Sequence, residues 1–214
     1  MFKKYWKFFV IFWSVVLVGI IGVFVFFWLI SAGKLGFMPT FEELENPNNR
    51  FASEVYFADG PIMNRYFEKE NRKYIEYREI PQSVIDALIA TEDVRFYDHS
   101  GVDVRGLFRV AKGLLTANTS AGGGSTISQQ LAKMLFPRES DLNVFELAIR
   151  KFREWVIAVR LEKSYTKEEI LTMYLNKYDF LNLAVGISSA ADIYFQVPLD
   201  SLKVEQAAML IGMA

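Results

Sequence analysis

Two carboxylates stand side by side at the end of an apolar stretch, in Glu92-Asp93-Val94-Arg95-Phe96-Tyr97-Asp98-His99-Ser100-Gly101. A glutamate at the edge of an apolar surface is poised to take a proton as a general base. The plainer alternative is a helix end with two solvated acids. His99 is the single histidine of the chain, which excludes a multi-histidine metal centre. A lone histidine is more often a structural hydrogen-bonding residue than a catalyst. Spacing leaves a Ser-His-Asp triad open, but no G-x-S-x-G elbow occurs.

A second stretch, Gly122-Gly123-Gly124-Ser125-Thr126-Ile127-Ser128-Gln129-Gln130-Leu131-Ala132-Lys133, runs three glycines into a helix start. Backbone N–H groups and the positive end of a helix dipole can hold an anion there. Thr126, Gln130 and Lys133 recur at i, i+4 and i+7 and share one face; Ile127, Leu131 and Met134 make a packable one. A Walker phosphate loop is absent, and a flexible linker before a capped helix is the alternative. A third stretch, Arg150-Lys151-Phe152-Arg153-Glu154, puts both Arg150 and Lys151 within helical reach of Glu154. Phe145, Ile149, Phe152, Val156 and Val159 form the main apolar stripe of that helix. Glu146, Arg150 and Glu154 lie opposite, where Ile157 and Leu161 continue the line. A helix apolar on both sides is buried, so Arg150 and Glu154 are expected to face a partly enclosed polar cavity; a solvated pair is the alternative. Ser31–Lys34 and Ser164–Lys167 match S-x-x-K by chance, since S-D-N and K-T-G are missing.

The elements that must position these residues follow from the pattern. The chain has 214 residues, 52% hydrophobic, with net charge −1 and no cysteine. Zero cysteine excludes disulfides, thiolate metal sites and a cysteine nucleophile, and the absence of a basic excess gives no sign of nucleic acid. The average conceals two physical classes. Residues 1–34 hold three of the four tryptophans, seven of the nineteen phenylalanines and only four charges, all lysine. Phe8–Ile30 is uncharged over 23 residues, enough to span roughly 30 Å of hydrocarbon. Lys3, Lys4 and Lys7 precede the span and put the N-terminus in the cytoplasm. The run is longer than a signal-peptide core, so residues 1–7 are read as a cytoplasmic tail, 8–30 as an uncleaved transmembrane anchor and 31–51 as a stalk.

Beyond the stalk, Ser53–Phe57 and Ile62–Phe67 flank turn chemistry and read as a hairpin. Helical spacing then predicts helices over 81–92, 102–117, 126–135, 144–163, 167–176, 184–195 and 204–213, with Thr166 and Glu169 as a capping box. The fold class expected is mostly α, with a small N-terminal β hairpin behind one transmembrane helix.

Taken together and in order, these stretches resemble the peptidoglycan glycosyltransferases of family 51, the transglycosylase domain of class A penicillin-binding proteins and monofunctional transglycosylases. E-D-x-x-F-x-x-H-x-G is matched by Glu92, Asp93, Phe96, His99 and Gly101; G-G-S-T-(I/L)-(T/S)-Q-Q-x-x-K from Gly123 to Gln130 and at Lys133. R-K-x-x-E is matched by Arg150, Lys151 and Glu154, K-x-x-I-L-x-x-Y-L-N from Lys167 to Asn176, and a fifth motif resembles Gly186, Ala190, Ala191, Tyr194 and Phe195. The match covers about residues 52–214.

The resemblance implies a lysozyme-like helical glycosyltransferase domain at the bacterial cytoplasmic membrane, its catalytic part outside, polymerising lipid II into glycan strands with inversion and release of undecaprenyl diphosphate. It implies Glu92 and Glu154 as catalytic residues. Asp93, Ser125, Thr126, Gln129, Gln130, Lys133, Arg150 and Lys151 would contact substrate. Partners would be lipid II, the growing strand, membrane lipid and a cell-wall synthesis complex, with no nucleic acid. No cofactor is implied with certainty; Glu92 and Asp93 are the candidate ligands for a divalent metal such as Mg.

Val104, Leu107, Phe108, Leu114 and Leu115 are either core residues or a face that dips into the membrane interface. The chain departs from the pattern at Met134, usually Asn, at Glu146, often a phosphate-binding Arg for which Arg138 could substitute, and at Leu181-Asn182, where a glycine commonly follows Phe180. It stops at Ala214 inside an expected helix, so truncation before a transpeptidase domain is expected. The rival readings are a lytic, glycan-cleaving enzyme and a non-catalytic anchored fragment.

Overall fold

The computed structural model describes residues 2–36, 38–39, 53–56, 62–66, 73–116, 123–135 and 143–213. The stalk from residue 40 to residue 51 and the loop that holds Arg138 lie outside them.

The uncharged run folds as α1, Phe2–Ser31, of which Tyr5–Ser31 is long and apolar enough to cross a membrane. Phe8, Phe12, Leu17, Phe24 and Trp28 are each more than half exposed, an apolar surface that suits hydrocarbon rather than water. The helix stops at Gly33, which takes φ +70°. There the amides of Gly33 and Lys34 turn back onto the carbonyls of Ile30 and Leu29, the paired bonds of a Schellman cap.

Two short strands, β1 (Ser53–Tyr56) and β2 (Ile62–Tyr66), pair antiparallel with Ser53 opposite Tyr66. The rest of the regular structure among the described residues is helical. α2 (Gln82–Glu92) starts after Pro81, which has no N–H to lose and whose carbonyl accepts from Val84. α3 is Val104–Leu115, α4 Ile127–Leu135, α5 Val144–Ser164, α6 Lys167–Lys177, α7 Ile187–Phe195 and α8 Val204–Ile211. Both α5 and α6 open with a full capping box, Asn143 with Glu146 and Thr166 with Glu169. The Glu146 departure is thereby explained locally: its carboxylate accepts from the Asn143 amide at 2.8 Å.

The core forms where α4 packs between α5 and α6 and where α2 lies against α8. Val84, Leu88, Ile127, Leu131, Leu161 and Leu171 are sealed from solvent. α7 begins three residues later than its periodicity suggests. Leu181, Asn182 and Leu183 all adopt positive φ and form a turn closed by Asp179, whose carboxylate accepts from the Leu181 amide at 2.9 Å. Leucine takes this left-handed conformation at a cost of about 1–2 kcal/mol, where the related pattern has glycine.

The two apolar sides of α5 serve different neighbours. Ile157, Ala158 and Leu161 enter the core. The stripe read as the main one instead meets α1: Phe152 stands edge-on to Phe26 at 5.3 Å and to Phe27 at 5.7 Å, while Phe145 is 71% exposed. About two turns beyond Phe152, the Arg160 guanidinium donates to the Ser31 carbonyl and hydroxyl, both at 2.8 Å, and to the Pro39 carbonyl at 3.1 Å. A cation there complements the negative end of α1's dipole. Arg160→Ala is expected to weaken this junction by about 1–2 kcal/mol. Amide hydrogen exchange in detergent should show faster exchange at Ala32, Gly33 and Lys34 with the core amides unchanged.

Candidate active site

α2 ends at Glu92, on the wall of a cavity of about 530 Å³ whose lining also includes Arg95, Asp103, Arg109, Ser125 and Gln130. One Glu92 oxygen accepts from the Gln130 side-chain amide at 2.6 Å. The carbonyl end of that amide accepts from the Tyr174 hydroxyl at 3.0 Å. Burial raises the Tyr174 phenol above its usual range, with the nearby Glu92 and Tyr178 adding to the effect. It is therefore a hydroxyl donor at any ordinary pH.

Asp93, one residue on, has a different occupation. The chain leaves the helix there with φ −156° and ψ 75°, and the Asp93 carboxylate turns inward. It accepts from His99 Nε2 at 2.9 Å and from the Ile127 amide at 3.2 Å. The second His99 nitrogen accepts from the Gly101 amide at 3.3 Å, so Nε2 carries the hydrogen and neither nitrogen is left for a serine. His99 is structural. The positive N-terminus of α4, read above as an anion site for substrate, is already matched by the protein's own Asp93.

Thr126 and Gln129 likewise serve the backbone. The Thr126 hydroxyl donates to the Gly101 carbonyl at 2.7 Å and accepts from the Gln129 amide at 3.2 Å, while the Gln129 side chain donates to the same carbonyl at 3.2 Å. Of the expected face Thr126, Gln130 and Lys133, the first two do line the Glu92 cavity, Thr126 buried and Gln130 reaching Glu92, whereas Lys133 is exposed and not among its lining.

Glu154 is only 7% exposed, as a cavity-facing acid on a doubly apolar helix should be. Lys151 bridges Glu154 at 2.9 Å and the Ser125 hydroxyl at 3.0 Å, which ties α5 to the cavity wall. Arg150 sits at 4.0 Å from Glu154, with its side chain one-third exposed. Of these residues Ser125 alone lines the Glu92 cavity; Lys151 and Glu154 connect to it through Ser125, and neither they nor Lys133 and Arg150 are among its lining.

Two cations of the lining had gone unread, Arg95 and Arg109. Arg95 donates to Asp103 through Nε at 3.1 Å and also through Nη2, and Arg109 donates to the Gly123 carbonyl at 3.3 Å. Burial acts to raise the Asp103 carboxyl, but the Arg95 bond and charge and the Gly106 amide outweigh it and hold it below its usual range. The available signal was the recurrence of Arg105, Arg109 and Lys112 at i, i+4 and i+7 on α3. A second missed group braces the loop from behind. Lys167 donates to Glu162 at 2.8 Å and to the His99 carbonyl at 2.7 Å, above the Phe96 ring, and Ser128 donates to Glu162.

The adjacent acids Glu92 and Asp93 do not converge on a shared point, because both Asp93 oxygens face donors within the fold. Among the described residues no three or more His, Asp or Glu side chains gather as a metal site. The pair therefore does not fit a metal held jointly by both acids.

Comparison with known proteins gives a consistent result. Residues 59–214 match the family model described as Transglycosylase. Penicillin-binding protein 1A of Escherichia coli (strain K12) is 37% identical over 176 residues, which is 82% of this chain and 20% of that protein. The protein of the same name from Pseudomonas aeruginosa is also 37% identical, over 82% of this chain and 21% of its own length. That of Neisseria lactamica is 36% identical over the same shares. The matched stretch spans about a fifth of the length of these relatives.

Proposed function

The chain belongs to the transglycosylase family, and from that membership we propose that it is a membrane-anchored peptidoglycan glycosyltransferase that polymerises lipid II. In this reading the 4-hydroxyl of the acceptor GlcNAc attacks C1 of the lipid-linked MurNAc donor, with inversion. Undecaprenyl diphosphate leaves. The observation that carries the reading is Glu92, a carboxylate held by Gln130 on the wall of a polar cavity. There it can take the hydroxyl proton, a contribution typically of about 10²–10⁴-fold.

The departing diphosphate requires cations. Lys151, oriented by Glu154 and reaching Ser125, supplies one from α5, and Arg150 and Lys133 are the further cations assigned to it. Ser125 and Gln130 contact the donor, whereas Asp93, Thr126 and Gln129 shape the loops around it.

The topology proposed is single-pass, with residues 1–7 in the cytoplasm, α1 across the inner membrane and the glycosyltransferase domain, residues 52–214, in the periplasm. The lipid tail keeps the substrate at the bilayer, since each buried CH₂ is worth about 0.8 kcal/mol. Val104, Phe108 and Leu115 on α3 are exposed, Leu115 by 90%, and this apolar face is assigned to the membrane interface. Cell-wall synthesis proteins are the expected partner class.

The test uses the purified full chain and labelled lipid II. Long glycan strands support the assignment; shortening of preformed glycan with no growth from lipid II overturns it in favour of a lytic enzyme.

A further inference from the structure

We propose that Tyr174 is a positioning residue: its hydroxyl fixes which way the Gln130 amide faces, and through that amide it aims the Glu92 carboxylate at the acceptor hydroxyl. The inference deepens the polymerase reading and rests on Glu92 being its base.

The argument starts from the chemistry of the amide. A glutamine side chain presents a donor at one end and an acceptor at the other, and the two ends have nearly the same shape. A carboxylate only accepts. If Gln130 were reversed, its carbonyl oxygen would stand against the Glu92 oxygen that now lies 2.6 Å from its nitrogen. Something must therefore hold the carbonyl end away from Glu92.

Tyr174 does so from behind, donating to that carbonyl at 3.0 Å. Its ring is fully buried and stacks on Tyr178 with centroids 5.6 Å apart. The helix that carries it is fixed at one end by the Thr166–Glu169 capping box and at the other by Asn176, which exchanges hydrogen bonds with the Ile75 backbone. The hydroxyl consequently has a settled position. Burial keeps it protonated, so it stays a donor while Glu92 works. Gln130 lines the cavity and Tyr174 does not, so the hydrogen bond of Tyr174 reaches Glu92 through Gln130. This gives the tyrosine of the K-x-x-I-L-x-x-Y-L-N stretch a task distinct from core packing.

The experiment measures initial rates of labelled lipid II polymerisation by the full chain for wild type, Tyr174→Phe, Gln130→Met and the double variant, with a thermal melt of each. Tyr174→Phe is expected to lower kcat about tenfold with KM changed less than about twofold. The double variant should be no slower than Gln130→Met alone, because the two act in series. The inference is overturned if Tyr174→Phe leaves kcat within about twofold, or if the losses multiply in the double variant. A wild type that polymerises beside an unaffected Tyr174→Phe removes this inference alone; a wild type that makes no strands removes the polymerase reading and this inference together.

Discussion

Replacing Glu92 by Gln is expected to reduce strand formation from lipid II by about 10³-fold or more, close to complete loss, with the melting temperature nearly unchanged. The size follows from what the substitution removes. An amide cannot take a proton from the acceptor hydroxyl, so the whole base contribution disappears. What it keeps is shape: the substituted side chain still offers a carbonyl oxygen to the Gln130 amide, which now stands at 2.6 Å from the carboxylate. Loss of rate therefore reads chemistry rather than folding. The check is the initial rate at saturating labelled lipid II beside a thermal melt. A rate within tenfold of wild type would show that Glu92 is not the base and would restore the non-catalytic reading. The neighbouring Asp93→Asn should behave differently, shifting the melt as well as the rate, because Asp93 holds His99 and the start of α4.

The second large effect is on stability. Gly101→Ala is expected to cost about 2–5 kcal/mol, lowering the thermal midpoint by on the order of 10 °C. Gly101 adopts φ +95°, and a Cβ placed there would stand 2.8 Å from the backbone carbon and oxygen of Ala158 and the nitrogen of Val159. Left-handed strain and overlap add, and the overlapped atoms are α5 backbone, which cannot swing aside as a side chain can. The same residue's carbonyl receives both Thr126 and Gln129, so a displaced Gly101 also loosens the N-terminus of α4. Gly123→Ala is the control. Nothing lies within 4 Å of a Cβ at that position, and its midpoint should stay close to wild type. A Gly101→Ala protein that melts with the control would refute the close approach to α5.

Much of the fold was legible because its signals are local. The uncharged run announces α1, the Thr166–Glu169 capping box starts α6, and apolar spacing marks the core of α2 and α4. Residue chemistry likewise pointed to the Glu92 stretch and the Lys151–Glu154 pair. What sequence could not supply was direction. Glu92 and Asp93 are adjacent, chemically alike and both on the cavity wall, yet one is held by Gln130 and the other caps a helix 34 residues away, a choice made by the backbone at the end of α2. Thr126 and Gln129 carry groups suited to substrate but spend them on Gly101. The stripe of α5 that includes Phe152 could only be assigned once α1 lay beside it. The helical spacing of Arg109 with Arg105 and Lys112 did not by itself mark a site, because the cavity that Arg109 shares with Arg95 joins segments distant in the chain.

On the proposed single-pass topology, the junction between α1 and α5 is expected to make the domain sensitive to the thickness of its bilayer. A membrane-spanning helix answers a thinner or thicker hydrocarbon layer by changing its tilt. A flexible tether would absorb that change, but Phe152 and Arg160 fasten α1 to the same rigid helix that carries Lys151 and Glu154. Tilt would thereby pass along α5 as leverage, and on the proposed reading lipid chain length is expected to set the angle at which the cavity meets its substrate.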